Sequence, residues 1–189
     1  MTLSFSKVAV IGAGAMGRGI AQIAAQAGSQ VWLFDAQPGA TTKAREALAQ
    51  QWDKLLEKGK LTAEAVAGHK ARLHEASSLQ DLAGCELVVE AIVEKIDIKK
   101  AVFADLEKVV AADAVLVTNT SSLSVTAIAA GMQHPGRFAG YHFFNPVPLM
   151  KVVEVIAGLK TDAAVCQRLS DYARQMGHTP VQAVDTPGF

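Results

Sequence analysis

The feature that most limits this chain is a short apolar segment that runs without a break into three spaced glycines. Lys7 to Ile11 (KVAVI) is valine-rich and apolar enough to be buried on both faces of a sheet, and Gly12-Ala13-Gly14-Ala15-Met16-Gly17 follows at once. In the spacing G-x-G-x-x-G the glycines divide the work among a tight turn, a close backbone approach to a pyrophosphate, and tight packing of helix on strand. Taken alone, glycines in an alanine-rich segment also serve plain close packing. The neighbours decide between the two. Ala15 to Ala27 is small and apolar on a helical pattern that Gly28 stops, and Gln30 to Asp35 (QVWLFD) reads as a second strand ending on a carboxylate 18 residues after Gly17. Strand, helix and strand within about 30 residues is one parallel crossover unit. The loop is therefore predicted to hold a dinucleotide, with Ala15 and Met16 at the helix start beside its phosphates. Asp35 would accept from a ribose 2′-hydroxyl and repel a 2′-phosphate, favouring NAD over NADP; FAD would use the same loop.

The pattern repeats downstream. Helical spacing predicts a long amphipathic helix from Pro38 to about Lys58, a second from Leu61 to Lys70, and others over Lys95 to Val110, Ser124 to Ala130 and Asp162 to Met176. Strands are expected at Arg72 to His74, Glu86 to Ile92, Val115 to Thr118, Phe138 to Phe144, Val152 to Ile156 and Thr179 to Val184. Alternating strands and helices predict an α/β fold of Rossmann type, a doubly wound, mostly parallel sheet with helices on both faces. At 189 residues the chain is expected to be one domain spanning 1–189. Asp185-Thr186-Pro187-Gly188-Phe189 is a turn signal that ordinarily connects two elements, so residues 185–189 read as the start of a connection.

Composition narrows the class further. Half the residues are apolar, 19% are charged and mean hydropathy is +0.22, enough for a large core and incompatible with a disordered chain. Lys plus Arg and Asp plus Glu are 18 each, so no bulk charge pulls the chain toward nucleic acid or a membrane surface. No apolar run approaches the roughly 18 residues of a membrane span. Two cysteines in unrelated surroundings, Cys85 and Cys166, fit a reducing, cytoplasmic compartment. No histidine pair has metal-ligand spacing with an acid or cysteine, so no metal is assigned.

Two clusters bear chemistry. Asn119-Thr120-Ser121-Ser122 follows a predicted strand, where open α/β sheets collect ligands; its hydroxyls either touch substrate or cap the next helix, and one serine can cap while its neighbour binds. His142 sits among aromatics in Tyr141-His142-Phe143-Phe144-Asn145-Pro146, and Glu154 interrupts the apolar Val152 to Ile156. A buried carboxylate needs a partner, and His142 is the natural one, giving an imidazole held in one tautomer as a general base. The plainer alternative is a packed core histidine with Glu154 facing solvent from an edge strand. His69, His74, His134 and His178 read as surface or packing residues.

Together Val10 to Gly17 (VIGAGAMG), Val89 to Glu94 (VEAIVE), Asn119 to Leu123 (NTSSL) and His142 to Met150 (HFFNPVPLM) running on to Val153 to Ile156 form a pattern covering essentially the whole chain. It resembles the NAD-binding domain of the 3-hydroxyacyl-CoA dehydrogenases, 3-hydroxybutyryl-CoA dehydrogenases included. The resemblance implies oxidation of a (3S)-hydroxyacyl-CoA to the 3-ketoacyl-CoA, with His142 as base, Glu154 as its orienting partner and Ser121 on the substrate hydroxyl near the nicotinamide. It implies further cofactor contacts at Asp35, Glu94, Lys99 and Asn145, and a contact of Lys58 with the CoA moiety. Gln51 stands where the family pattern has a serine. Family members continue into an all-helical domain supplying a further catalytic asparagine, part of the substrate cleft and most of a homodimer interface, so the chain looks like the cofactor domain of a longer enzyme, impaired alone. A hydroxy-acid or sugar-acid dehydrogenase of the same superfamily, or a catalytically silent NAD-binding module, would share the cofactor loop.

Overall fold

A computed structural model describes residues 2–186; Pro187, Gly188 and Phe189 of the expected terminal turn lie outside the described residues. Strands and helices alternate as β1 (Lys7–Ile11), α1 (Ala15–Ala27), β2 (Gln30–Phe34), α2 (Ala40–Glu57), α3 (Ala63–Arg72), β3 (Leu73–Glu75), β4 (Leu87–Glu90), α4 (Ile96–Glu107), β5 (Val115–Thr118), α5 (Val125–Ala129), β6 (Phe138–Phe143), β7 (Val152–Ala157), α6 (Ala163–Gln175) and β8 (Thr179–Val184). The strands form one sheet in the order β3-β2-β1-β4-β5-β6-β7-β8. Pairing is parallel from β3 through β6, antiparallel between β6 and β7, and parallel again between β7 and β8. Because β1 lies between β2 and β4, the winding direction reverses there, and the crevice above the carboxyl ends of β1 and β4 is where such sheets take a ligand.

The period-2 alternation of the central strands separates two cores. Val8, Val10, Leu87, Val89, Val115 and Val117 face one side, packed with Ile20, Trp52 and Tyr172 of α1, α2 and α6. Ala9, Ile11, Val88 and Leu116 face the other, packed with Phe103 of α4 and Ile128 of α5. Burial on both faces is why these strands read as continuous apolar runs.

Helix boundaries differ from the sequence reading where backbone chemistry sets them. The second helix starts at Ala40, not Pro38, because Gly39 precedes it at φ 81°, a left-handed conformation outside the helix. The third starts at Ala63 because the Thr62 side chain accepts from the Ala65 amide at 3.1 Å as its N-cap. Two 3₁₀ turns, Leu79–Leu82 and Pro135–Arg137, are too short to carry a periodicity; Ser78 and Asp81 close the first with a capping box.

Candidate active site

The glycine loop shows three different reasons for glycine. A Cβ on Gly12, at φ 106°, would lie 2.4 Å from the Ala91 carbonyl oxygen, and one on Gly17 would lie 1.7 Å from that of Gly12. Both are demanded by the protein's own packing. A Cβ on Gly14 would meet nothing within 4 Å, so its freedom serves whatever approaches from outside. Gly14 is also the N-cap of α1 and offers no side chain to the helix's first amides, leaving their positive dipole end directed outward. Asp35 accepts from the amides of Ala13 and Gln37, each at 2.8 Å, which ties the loop to the end of β2. A cavity of about 440 Å³ opens here, lined by Ala13, Gly14, Arg18, Asp35, Gln37 and Lys43 among others. An open glycine edge, a bare helix N-terminus and a carboxylate just past the end of β2 on the same cavity fit a dinucleotide.

A second cavity, about 320 Å³, lies over the neighbouring strand ends and is lined by Met16, Glu94, Asn119, Ser121, His142 and Asn145 with their neighbours. His142 of β6 and Glu154 of β7 are register partners, and His142 Nδ1 lies 2.8 Å from Glu154 Oε1. Their side chains are only 14% and 17% exposed. A proton on Nδ1 donated to the carboxylate puts the ring's basic lone pair on Nε2. Phe144 packs against the imidazole at 4.5 Å between centroids, and Asn119 Oδ1 accepts from the Phe143 amide at 2.9 Å, joining the loop after β5 to the end of β6.

The hydroxyl cluster resolves into separate tasks. The helix cap expected of Asn119 to Ser122 falls outside that cluster, on Ser124, the N-cap of α5, which accepts from the Ala127 amide at 3.1 Å; within the cluster Thr120 Oγ1 accepts from the Leu123 amide at 3.0 Å. Ser121, exposed in the cavity, donates to Glu94 Oε2 from its hydroxyl at 3.3 Å and its amide at 3.2 Å. Burial pushes the Glu94 carboxyl up, but the Thr120 hydroxyl, the Lys99 ammonium and the Ser121 amide outweigh it and hold the group below its ordinary value.

The structure thus gathers Met16, Glu94, Ser121, His142 and Asn145 on one cavity, with Glu154 behind His142, and Gly14 and Asp35 on the next. Lys99 arrives from beneath: its side chain is fully covered, with Nζ on Glu90 at 2.6 Å and Glu94 at 3.2 Å. Lys58 caps the C-terminus of α2, exposed, and lines neither cavity. Glu90, fully buried at the end of β4, is the residue that sequence reasoning passed over. The signal was present, since a carboxylate closing an apolar strand needs a partner as Glu154 does. Among the described residues no group of three His, Cys, Asp or Glu side chains is gathered to hold a metal ion, and no helix is long and apolar enough to cross a membrane.

A doubly wound sheet with an open glycine loop at its switch point defines a dinucleotide-binding domain, and a histidine–carboxylate pair stands in the adjoining cavity. Residues 7–186 match the family described as 3-hydroxyacyl-CoA dehydrogenase, NAD binding domain, and the chain belongs to that family. Its cofactor is NAD. The chain is 44% identical over 189 residues to 3-hydroxyadipyl-CoA dehydrogenase of Escherichia coli K12, covering 100% of itself and 40% of that protein. It is 44% identical over 185 residues to a probable 3-hydroxybutyryl-CoA dehydrogenase of Deinococcus radiodurans, covering 97% of itself and 66% of the relative. The crystal structure of 3-hydroxybutyryl-CoA dehydrogenase from Escherichia coli K12 superposes with a TM-score of 0.96 at 45% identity, over 98% of this chain and 39% of that one. The chain therefore spans less than two thirds of the length of these relatives.

Proposed function

We propose that this chain is the NAD-binding domain, residues 1–189, of an enzyme that oxidises the 3-hydroxyl of a (3S)-hydroxyacyl-CoA to the 3-ketone. The observation that carries the reading is the 2.8 Å His142–Glu154 contact on the cavity that also holds Ser121, beside the glycine-loop cavity. His142 removes the hydroxyl proton at Nε2 as the carbon–oxygen double bond forms. Glu154 stabilises the imidazolium that results and keeps the ring in the reactive tautomer. The Ser121 hydroxyl, released from Glu94, donates to the substrate oxygen and polarises it. When bound, NAD supplies the hydride acceptor for the hydrogen leaving C3. Gly12 and Gly17 fold the loop tightly enough for Gly14 and the first turn of α1, Ala15 and Met16, to take its pyrophosphate, Asp35 takes the adenosine ribose, and Glu94 and Asn145 flank the nicotinamide half, with Lys99 acting from beneath through Glu94. Lys58, on the exposed end of α2, is assigned to the CoA moiety.

The relatives' names support an acyl-CoA substrate, and the setting proposed for it is degradation of fatty acids or of aromatic compounds, or butyrate-type metabolism. Buried, unbridged Cys85 and Cys166 support a cytoplasmic setting, and the active form is proposed to be a homodimer assembled through a helical domain beyond this one. The test is NADH absorbance produced by the complete gene product with a panel of 3-hydroxyacyl-CoA thioesters. Turnover that free CoA inhibits supports the proposal; NADH binding without turnover of any thioester contradicts it.

A further inference from the structure

Glu90 occupies the last position of β4, at 0% exposure, between Ile11 of β1 and Thr118 of β5 in the sheet register. Its carboxylate lies buried at the carboxyl end of the sheet and takes three donors. Oε2 accepts from Lys99 Nζ at 2.6 Å and the Ile92 amide at 2.7 Å, and Oε1 accepts from Thr118 Oγ1 at 2.6 Å. Stability alone does not require this arrangement, because a well-packed apolar side chain would suit a sheet interior as well as a buried ion pair does. The rest of β4, Leu87 to Val89, is apolar.

The ion pair leads to the cavity. Lys99 divides its ammonium between Glu90 and Glu94, reaching Glu94 Oε1 at 3.2 Å. The other Glu94 oxygen, Oε2, faces the serine loop, taking the Thr120 hydroxyl at 2.8 Å and the Ser121 amide at 3.2 Å. One carboxylate oxygen is thus fixed from below and the other from the side of Ser121. We infer that Glu90 is a positioning residue: it anchors Lys99, which sets Glu94, which in turn holds the Ser121 amide and so places the Ser121 hydroxyl at the cavity. The inference rests on the role proposed for Ser121 in catalysis.

Two variants test it. Glu90→Gln keeps the geometry available, since the amide oxygen can accept from Lys99 and the Ile92 amide while the NH₂ donates to Thr118, yet it removes the charge that anchors Lys99. The double variant Glu90→Leu with Lys99→Leu replaces the buried ion pair by apolar side chains. Both are expected to fold and to raise hydrogen exchange at the Ser121 amide at least about tenfold in the cofactor-free protein. In the complete gene product kcat should fall about 10- to 100-fold, with KM for NAD and thioester within about threefold. A merely structural role would not depend on Ser121, so the loss from Glu90→Gln should shrink to nearly nothing in a Ser121→Ala background. Additive losses, unchanged Ser121 exchange in both variants, or failure of both to fold would each overturn the inference. If the wild-type enzyme turns over no thioester, the functional proposal fails by itself, and the exchange measurement still decides whether Glu90 positions Ser121.

Discussion

His142 and Glu154 stand directly opposite each other across β6 and β7, the one antiparallel pairing among the described strands. Opposed residues in such a pair place their side chains on the same face at contact distance, and a slip of one residue would turn Glu154 to the other side of the sheet. The loop between the strands, residues 144–151, carries Asn145, so the turn that delivers Glu154 to His142 also delivers Asn145 to the cavity.

Glu154→Gln preserves shape and removes the charge that stabilises an imidazolium. We expect kcat of the complete gene product to fall by about 10² to 10⁴, while NADH affinity, read by fluorescence titration, stays within about twofold. An unchanged kcat would remove Glu154 from the mechanism.

The glycines should separate by function. Gly17→Ala forces a methyl onto the Gly12 carbonyl, at 1.7 Å from its oxygen, so α1 must move off β1; thermal melting should report a loss of several kcal/mol, on the scale of about 1–3 for an overpacked methyl plus the displaced helix. Gly14→Ala meets no protein atom. It should melt like the wild type yet weaken NADH binding at least about tenfold by crowding the phosphate approach. Equal melting temperatures for both variants would contradict this division.

Asp35→Ala removes the ribose acceptor and the carboxylate that holds the Ala13 amide at 2.8 Å. NADH affinity should drop about tenfold, the order of one charged hydrogen bond, and discrimination against NADPH should narrow, because the repulsion of a 2′-phosphate is gone. Parallel titrations with the two cofactors measure both; unchanged discrimination would place the ribose elsewhere.

His178 is buried, donates to the Val147 carbonyl at 3.0 Å and sets its ring edge against Phe143 at 5.7 Å between centroids. Burial holds it below the ordinary 6.5, outweighing the neighbouring carbonyls that favour the protonated ring. A folded-state value below the unfolded one means the unfolded chain binds the extra proton first, so this stabilisation is complete above about pH 6.5 and declines as pH falls through that value toward the lower folded one. His69 and His74 are lowered in the same direction by burial and nearby arginines. The melting temperature should therefore fall from pH 7.5 to pH 5.5, and His178→Gln should show a smaller fall over the same range. An equal fall in the variant would assign the effect to the other histidines.

Much of this was legible in the sequence because local rules govern it. The first crossover unit, the Gly28 stop and the reach of Asp35 depend on residues within one strand–helix–strand segment. Glu154 was readable as a carboxylate in need of a partner, but the pairing with His142 depends on the antiparallel return of β7, which a spacing of twelve does not encode. Thr118, Lys99 and Glu90 come together from β5, α4 and β4, and the helix orientation that swings Lys99 beneath the sheet end is a tertiary fact. The choice between capping and binding for Asn119 to Ser122 depended on where the next helix begins: α5 starts at Val125, so Ser124 caps it and the cluster is left to the cavity.

The most direct test of the central claim is the turnover of His142→Gln in the complete gene product, measured as NADH formation from a 3-hydroxyacyl-CoA together with NADH binding. The histidine base predicts a loss of about 10² to 10⁴ in kcat with cofactor affinity nearly unchanged. Turnover close to that of the wild type would contradict it and place the base elsewhere.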